Sequence, residues 1–310
     1  INEKFEPIAN GSYTWENTLD NGIWTYPLSQ IHEGLQTCYA NLKKDVSEKY
    51  DIKLTSFKAG GISAMMHGYL AFDKDDNLLV PFRTWRNTIT GAASKELSDL
   101  FNFPVPERWS VSHLYQAILN KEEHISKVVK VYTLAAYIHY MLTGEKVIGV
   151  GDASGMFPIK TTGGKSLYNA DFVQKFEAIP SVAKLGIKVN QIFPTVLMAG
   201  ENAGKLTEAG ARFLDPTGEL KAGISFCPPE GDAGTGMVAT NSVEPATGNI
   251  SAGTSVFSMV VLKDDLKKAY PGKIDMVTTP DGNPVAMVHA NNCTGEHNYW
   301  VNLFKEVVDT

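Results

Sequence analysis

The sequence predicts an α/β protein of about two domains, and three observations carry that prediction. The chain has 310 residues, against roughly 100–200 for an ordinary domain. In residues 29–49, Ile31, Leu35, Cys38, Leu42 and Val46 recur at three- and four-residue spacing with charges between them, which is the pattern of an amphipathic helix. Residues 54–64 follow as a strand, Thr55-Ser56-Phe57-Lys58-Ala59, running into Gly60-Gly61-Ile62-Ser63. A helix followed by a strand is the rhythm of an α/β sheet, whose ligands collect at the carboxyl ends of the strands. From Gly223 the texture changes, and residues 223–227, 249–262 and 285–290 read as strands in a second, strand-rich part.

Composition narrows the function. A hydrophobic share of 43% with 20% charged residues fits a globular chain with a sizeable core. The net charge of −6 and the lack of any basic block argue against a nucleic-acid partner. No apolar run approaches a membrane span and no signal peptide is visible, so no membrane role is expected. Cys38, Cys227 and Cys293 are odd in number and far apart. They form neither a metal-ligand pair nor a disulfide framework, so a cytoplasmic location fits, with each cysteine a small buried hydrophobe. Ile1 opens the chain without an initiator methionine, and the natural protein is expected to begin earlier.

Along the chain, residues 1–9 read as a strand end, a polar turn and a second strand, and residues 15–26 as aromatic and turn-rich. Residues 69–80 read as a hairpin around Asp73-Lys74-Asp75-Asp76-Asn77. Residues 91–145 read as helices, clearest at 110–120 and 128–142, the second stopped by Gly144. Tyr132, Tyr137, His139 and Tyr140 in that helix read as packing residues. The glycine-punctuated run 149–157 is expected to lack the strand-then-helix setting of a dinucleotide fingerprint. Residues 169–179 read as another helix. Gly204-Lys205-Leu206-Thr207 misses the phosphate-loop pattern, because Leu206 stands where Ser or Thr is needed. Residues 298–308 start a helix with Trp300, Leu303, Phe304 and Val307 on one face.

The stretch with the most chemistry is 231–258, GDAGTGMVATNSVEPATGNISAGTSVFS. Residues this small bury little apolar area, but they let backbone amides approach a ligand closely. Asp232 is a candidate general base, and the turn Gly253-Thr254-Ser255 a candidate phosphate seat. The bland alternative is an ordinary loop. Met66-His67-Gly68 after the 54–64 strand reads either as core packing or as a sugar pocket. In the pocket reading His67 meets hydroxyls, Gly68 permits close approach and Met66 lines an apolar wall. Trp85 and Asn87, in the run 81–88, either contact a sugar face or are structural.

Read together, Ser63-Ala64-Met65-Met66-His67-Gly68, the Trp85 loop, Tyr140 to Gly144 with Asp152-Ala153-Ser154-Gly155, Gly231-Asp232-Ala233-Gly234 and Ser251-Ala252-Gly253-Thr254-Ser255 resemble the FGGY carbohydrate kinases, on their xylulokinase and ribulokinase side. The resemblance implies an actin-like, ribonuclease-H-like fold of two domains: residues 1–245 as a sugar-binding domain without its first strands, and 246–310 as the start of an ATP-binding domain. It implies Asp232 as base, Met66, His67, Gly68, Trp85 and Asn87 as sugar-binding residues, and Gly253, Thr254 and Ser255 on ATP phosphates bridged by Mg²⁺. No residue is assigned as a metal ligand, and a homodimer is left open. The family's N-terminal phosphate hairpin and its later adenine-gripping segment have no counterpart in these residues, so an incomplete, inactive piece of a pentulose kinase is expected. Many relatives have Asp near the position of Asn87, and Asp-Asn-Ala where this chain has Asp232-Ala233-Gly234. A non-catalytic sugar-binding or regulatory protein and a glycerol-type polyol kinase are the alternatives.

Overall fold

The computed structural model describes residues 1–252, 256–264, 266–290 and 293–309. The long helix spans Leu28–Tyr50 and buries Ile31, Gly34 and Tyr39, while Leu35 and Leu42 of the expected face are half-buried against the core. It ends where Asp51 turns left-handed and donates its N–H to the Ser47 carbonyl at 2.9 Å.

Short parallel strands build the centre. Ser225–Phe226 pairs with Ala59–Gly60, Glu230–Gly231 with Ser63–Ala64, and Thr195–Leu197 with Val147–Gly149, all parallel. Gly149 N–H donates to the Pro229 carbonyl at 2.8 Å, which ties the last two pairs together. At the carboxyl ends of these neighbours stand Met66-His67, Val150 to Gly155, and Asp232. The α/β rhythm places ligands there.

Several expected elements differ. Residues 1–9 contain no strand, and the first antiparallel pair is Thr18–Asp20 with Ile23–Thr25; the turn around residues 73–77 closes as expected, Phe72 bridging Leu78. The 128–142 helix is a strand, Lys130–Tyr132, followed by a helix, Leu134–Thr143. Val128, Val129 and Val131 favour extended backbone, and Thr133 accepts the Ala136 N–H to start the helix. Gly144, at φ 77°, ends it as expected. The Lys130–Tyr132 strand pairs with Leu70–Phe72. Residues 149–157 do have a strand-then-helix setting, Val147–Gly149 and then Val150–Ala153. Cys227 is exposed, and Cys38 and Cys293 are half-buried, so none is the buried hydrophobe the sequence suggested. Cys227 closes a strand edge, held through its N–H on the Gly60 carbonyl while its side chain faces solvent.

The main core runs from Ile31 to Phe226. Phe157 is its aromatic hub, with the rings of Phe101, Tyr168, Phe176 and Phe193 at 5.7, 6.1, 6.1 and 6.5 Å. Tyr132, Tyr137 and His139 are buried, as packing residues should be. Among the described residues a four-stranded antiparallel sheet, ordered Gly248–Ala252, Val256–Val261, Pro284–Ala290, Asp275–Thr278, forms the second part. Its core joins Met237, Met259, Val261, Val277, Val285 and Met287 to Met66 of the first part. The Thr294–Val308 helix buries none of its residues, and Trp300 and Phe304 are 54% and 62% exposed. No helix of the described residues is long and apolar enough to cross a membrane.

Candidate active site

Asp232 is the first residue of the Asp232–Ala239 helix, directly after the Glu230–Gly231 strand. A carboxylate at that end opposes the positive pole of the helix. Its Oδ1 accepts from Ala233 N–H at 3.0 Å and from Met66 N–H at 3.4 Å. The carboxylate opens to solvent but is walled by protein, and this desolvation raises its pKa above the usual carboxylate range, opposed by the backbone donors. An open acid with raised basicity at a strand end is able to accept a proton from a hydroxyl.

His67 stands next to the residue that holds Asp232. It is buried and left-handed, at φ 69°, a conformation that surroundings must impose on a non-glycine residue. They do so closely: Gly68 N–H donates to the Arg108 carbonyl at 3.2 Å, Ser110 Oγ donates to the Gly68 carbonyl at 2.6 Å, and His67 Nδ1 meets the Gly155 carbonyl at 3.3 Å. A carbonyl only accepts, so Nδ1 carries the proton and Nε2 keeps its lone pair. Burial, and then the charge of Arg108, holds the imidazole pKa well below normal. A neutral imidazole of this kind is able to accept a hydrogen bond from a hydroxyl through Nε2.

The other expected site residues divide. The Met66 side chain is 6% exposed and belongs to the second core, so it is a packing residue whose N–H serves Asp232. At Gly68, φ 87°, a Cβ would lie 2.8 Å from the Phe82 ring and 2.9 Å from the Arg83 carbonyl, so the glycine makes room for protein. Asn87 is 2% exposed, and its carboxamide is committed: Nδ2 donates to the Trp24 and Thr84 carbonyls at 2.8 and 2.9 Å, and Oδ1 accepts from Trp24 N–H at 2.9 Å. Trp85, 39% exposed, faces a cavity of about 1050 Å³ between the two parts. Gly253, Thr254 and Ser255 lie outside the described residues.

That cavity is lined by Trp85, Arg86, Arg108, Asp275, Met287 and His289 among others, and neither His67 nor Asp232 lines it. It adjoins them through Met287, packed in one cluster with Met66, and through Arg108, whose carbonyl holds Gly68. Arg108 pairs with Asp275 at 2.5 Å across the two parts. No spacing or motif pointed to Arg108. Glu230 was likewise unforeseen. It is buried, and its two oxygens accept from Gly151 N–H at 3.1 Å and Asp152 N–H at 2.9 Å. The strand-then-helix glycine run therefore holds the chain's own carboxylate rather than a phosphate.

Solved kinases share this fold. The chain superposes on a xyloylose kinase from Brucella ovis with a TM-score of 0.78 at 18% identity, covering 98% of this chain and 60% of that one. A ligand-bound xylulose kinase from Lactobacillus acidophilus gives 0.71 at 15%, covering 91% and 55%. A Plasmodium falciparum glycerol kinase with ADP gives 0.69 at 14%, covering 95% and 58%. The chain thus spans less than two thirds of each, and all three show an actin-like kinase fold of which this chain is a part. No curated protein matches the sequence. The model of the FGGY carbohydrate kinase N-terminal domain matches residues 6–218. That match covers more than half of the 310 residues, and the chain belongs to the FGGY family of carbohydrate kinases.

Proposed function

We propose that this chain carries the sugar site and the general base of an ATP-dependent kinase acting on a ketose, a pentulose such as xylulose or ribulose. The observation that carries the reading is Asp232: a solvent-open carboxylate at the carboxyl end of a parallel strand, hydrogen-bonded to the residue beside His67. Asp232 takes the proton of a sugar hydroxyl as that oxygen bonds to the γ-phosphorus and the bond to ADP breaks. His67 Nε2 accepts a second hydroxyl and so orients the sugar, and Trp85 offers a ring to its face.

Gly253, Thr254 and Ser255 are the proposed seat of the nucleotide phosphates. Mg²⁺ would accompany those phosphates and neutralise their charge. Among the described residues there is no group of three or more His, Cys, Asp or Glu able to hold a metal. We place the division between sugar-binding and ATP-binding parts at residues 245 and 246, just before the Gly248–Ala252 strand. Because the solved relatives are much longer, the 310 residues alone are proposed to turn over slowly or not at all.

The test uses the full-length protein and its Asp232→Asn variant, with ADP release measured on D-xylulose, L-ribulose, L-rhamnulose and glycerol. The expected result is turnover on a ketose that falls by about 10²–10⁴ in the variant with sugar affinity kept. Unchanged turnover in the variant removes Asp232 as base. Sugar binding without turnover in either protein identifies a non-catalytic binder, and turnover on glycerol alone identifies a polyol kinase.

A further inference from the structure

Three carboxyl groups stand at increasing depth around one strand end. Asp232 is open to solvent. Glu230, two residues earlier, turns the other way and is held by two amides of the Val150–Ala153 turn. Space for it is made by glycine: a Cβ on Gly149 would lie 2.2 Å from Glu230 Oε1, and one on Gly151 would lie 2.6 Å from Oε2. Asp152 is fully buried. Its Oδ2 accepts from Thr133 Oγ1 at 2.6 Å, and its Oδ1 has no partner. That free oxygen lies beneath the peptide between the other two acids, 3.4 Å from where a Cβ on Gly231 would be.

We propose that Glu230 and Asp152 are positioning residues for Asp232: Glu230 fastens the strand that delivers the base, and Asp152, as a neutral acid, supports the Gly231 peptide from below. The inference rests on the reading of Asp232 as base. Neither acid is open to solvent. Glu230 accepts with both oxygens, while burial, opposed by those amides, pushes its pKa up to about 7. A charge on Asp152 would stand unpaired beside Glu230 and Asp232, and burial together with those neighbours pushes its pKa well up. Among the described residues, the buried acid Asp152 lies within electrostatic reach of both Glu230 and Asp232.

The experiment measures kcat, sugar KM and the pH–rate profile of the full-length kinase in Glu230→Gln, Gly151→Ala, Asp152→Asn and Asp152→Ala. Glu230→Gln sets an NH₂ against one of the two amides, and the base shifts. The expected loss is about 10- to 100-fold in kcat, the usual result of an error near 1 Å, with KM within about twofold. Gly151→Ala pushes on an intact Glu230 and should lower kcat in the same manner, which covers the case of a Glu230→Gln protein that does not fold. Asp152→Asn, the same shape as the neutral acid, should keep kcat within about threefold and leave the acid limb unmoved. Asp152→Ala should lose kcat, and the difference between the two is rescue by shape. Unchanged kcat in both Glu230→Gln and Gly151→Ala overturns the role of Glu230. A downward move of the acid limb in Asp152→Asn overturns the neutral Asp152. If Asp232→Asn itself retains turnover, the base assignment has failed instead, a separate outcome.

Discussion

His113 offers a prediction whose size follows from burial and one neighbouring charge. It lies in the Ser110–Leu119 helix, 0% exposed, stacked on the Tyr69 ring at 6.2 Å, and neither ring nitrogen has a partner. Burial, and then the nearby Arg83 charge, lowers its pKa from 6.5 to about 3. The unfolded chain therefore takes up a proton first as pH falls. The stability due to a neutral His113 is complete above 6.5 and is lost progressively as pH falls toward 3. Each pH unit in that window costs about 1.36 kcal/mol, so at about pH 5 the loss is roughly 2 kcal/mol. The perturbation is His113→Phe, which keeps the stack on Tyr69 and removes the titration. Urea unfolding of both proteins, followed by far-UV circular dichroism at about pH 7.5 and pH 5, gives two differences. His32, His67, His124 and His139 are also held low by burial, but they are common to both proteins and cancel. The wild type should lose about 2 kcal/mol more on acidification than the variant. Equal losses would refute the reasoning, because they would mean that His113 gains its proton in the folded state.

Two further substitutions test the site's supports. Asn87→Asp removes the Nδ2 donor from the Trp24 and Thr84 carbonyls and sets a buried acid oxygen against them; it should destabilise by at least about 2 kcal/mol, read as a lowered thermal midpoint, and an unchanged midpoint would show that the carboxamide is not holding that loop. Gly155→Ala places a Cβ 2.4 Å from His67 Nδ1, so the ring must move; calorimetric sugar affinity of the full-length protein should weaken by about tenfold, one hydrogen bond's worth, and an unaltered affinity would remove His67 from sugar recognition.

The legible features were those set by local rules. The Leu28–Tyr50 helix follows from a spacing that any amphipathic helix must show. Asp232 stood out in the sequence because an acid in a small-residue run has little reason to be there for packing, and its place at a strand end follows from the Glu230–Gly231 strand before it. The Lys130–Tyr132 strand was hidden in an apolar run whose length alone resembled the helix it precedes. Met66 and Asn87 were legible as residues near the site but not as to direction, since an apolar wall and a core, or a reader of hydroxyls and a clamp on backbone, use the same side chains. Glu230 was out of reach, because its partners, Gly151 and Asp152, lie 79 and 78 residues away and no local pattern announces a contact at that distance.

The glycine run 149–155 shows why a familiar texture can serve another end. In a dinucleotide fold such glycines admit a pyrophosphate to a helix start. In this chain Gly149 and Gly151 admit Glu230, and Gly155 admits His67. The same turn meets the second sheet: Thr278 Oγ1 donates to the Val150 carbonyl at 3.0 Å, and Thr278 N–H donates to Ser154 Oγ at 3.1 Å. Seven residues thus hold the strand that leads to Asp232, meet the His67 ring through the Gly155 carbonyl, and anchor the second sheet. A displacement of the second sheet would therefore be felt first at this turn, which contacts both the strand before Asp232 and the His67 ring.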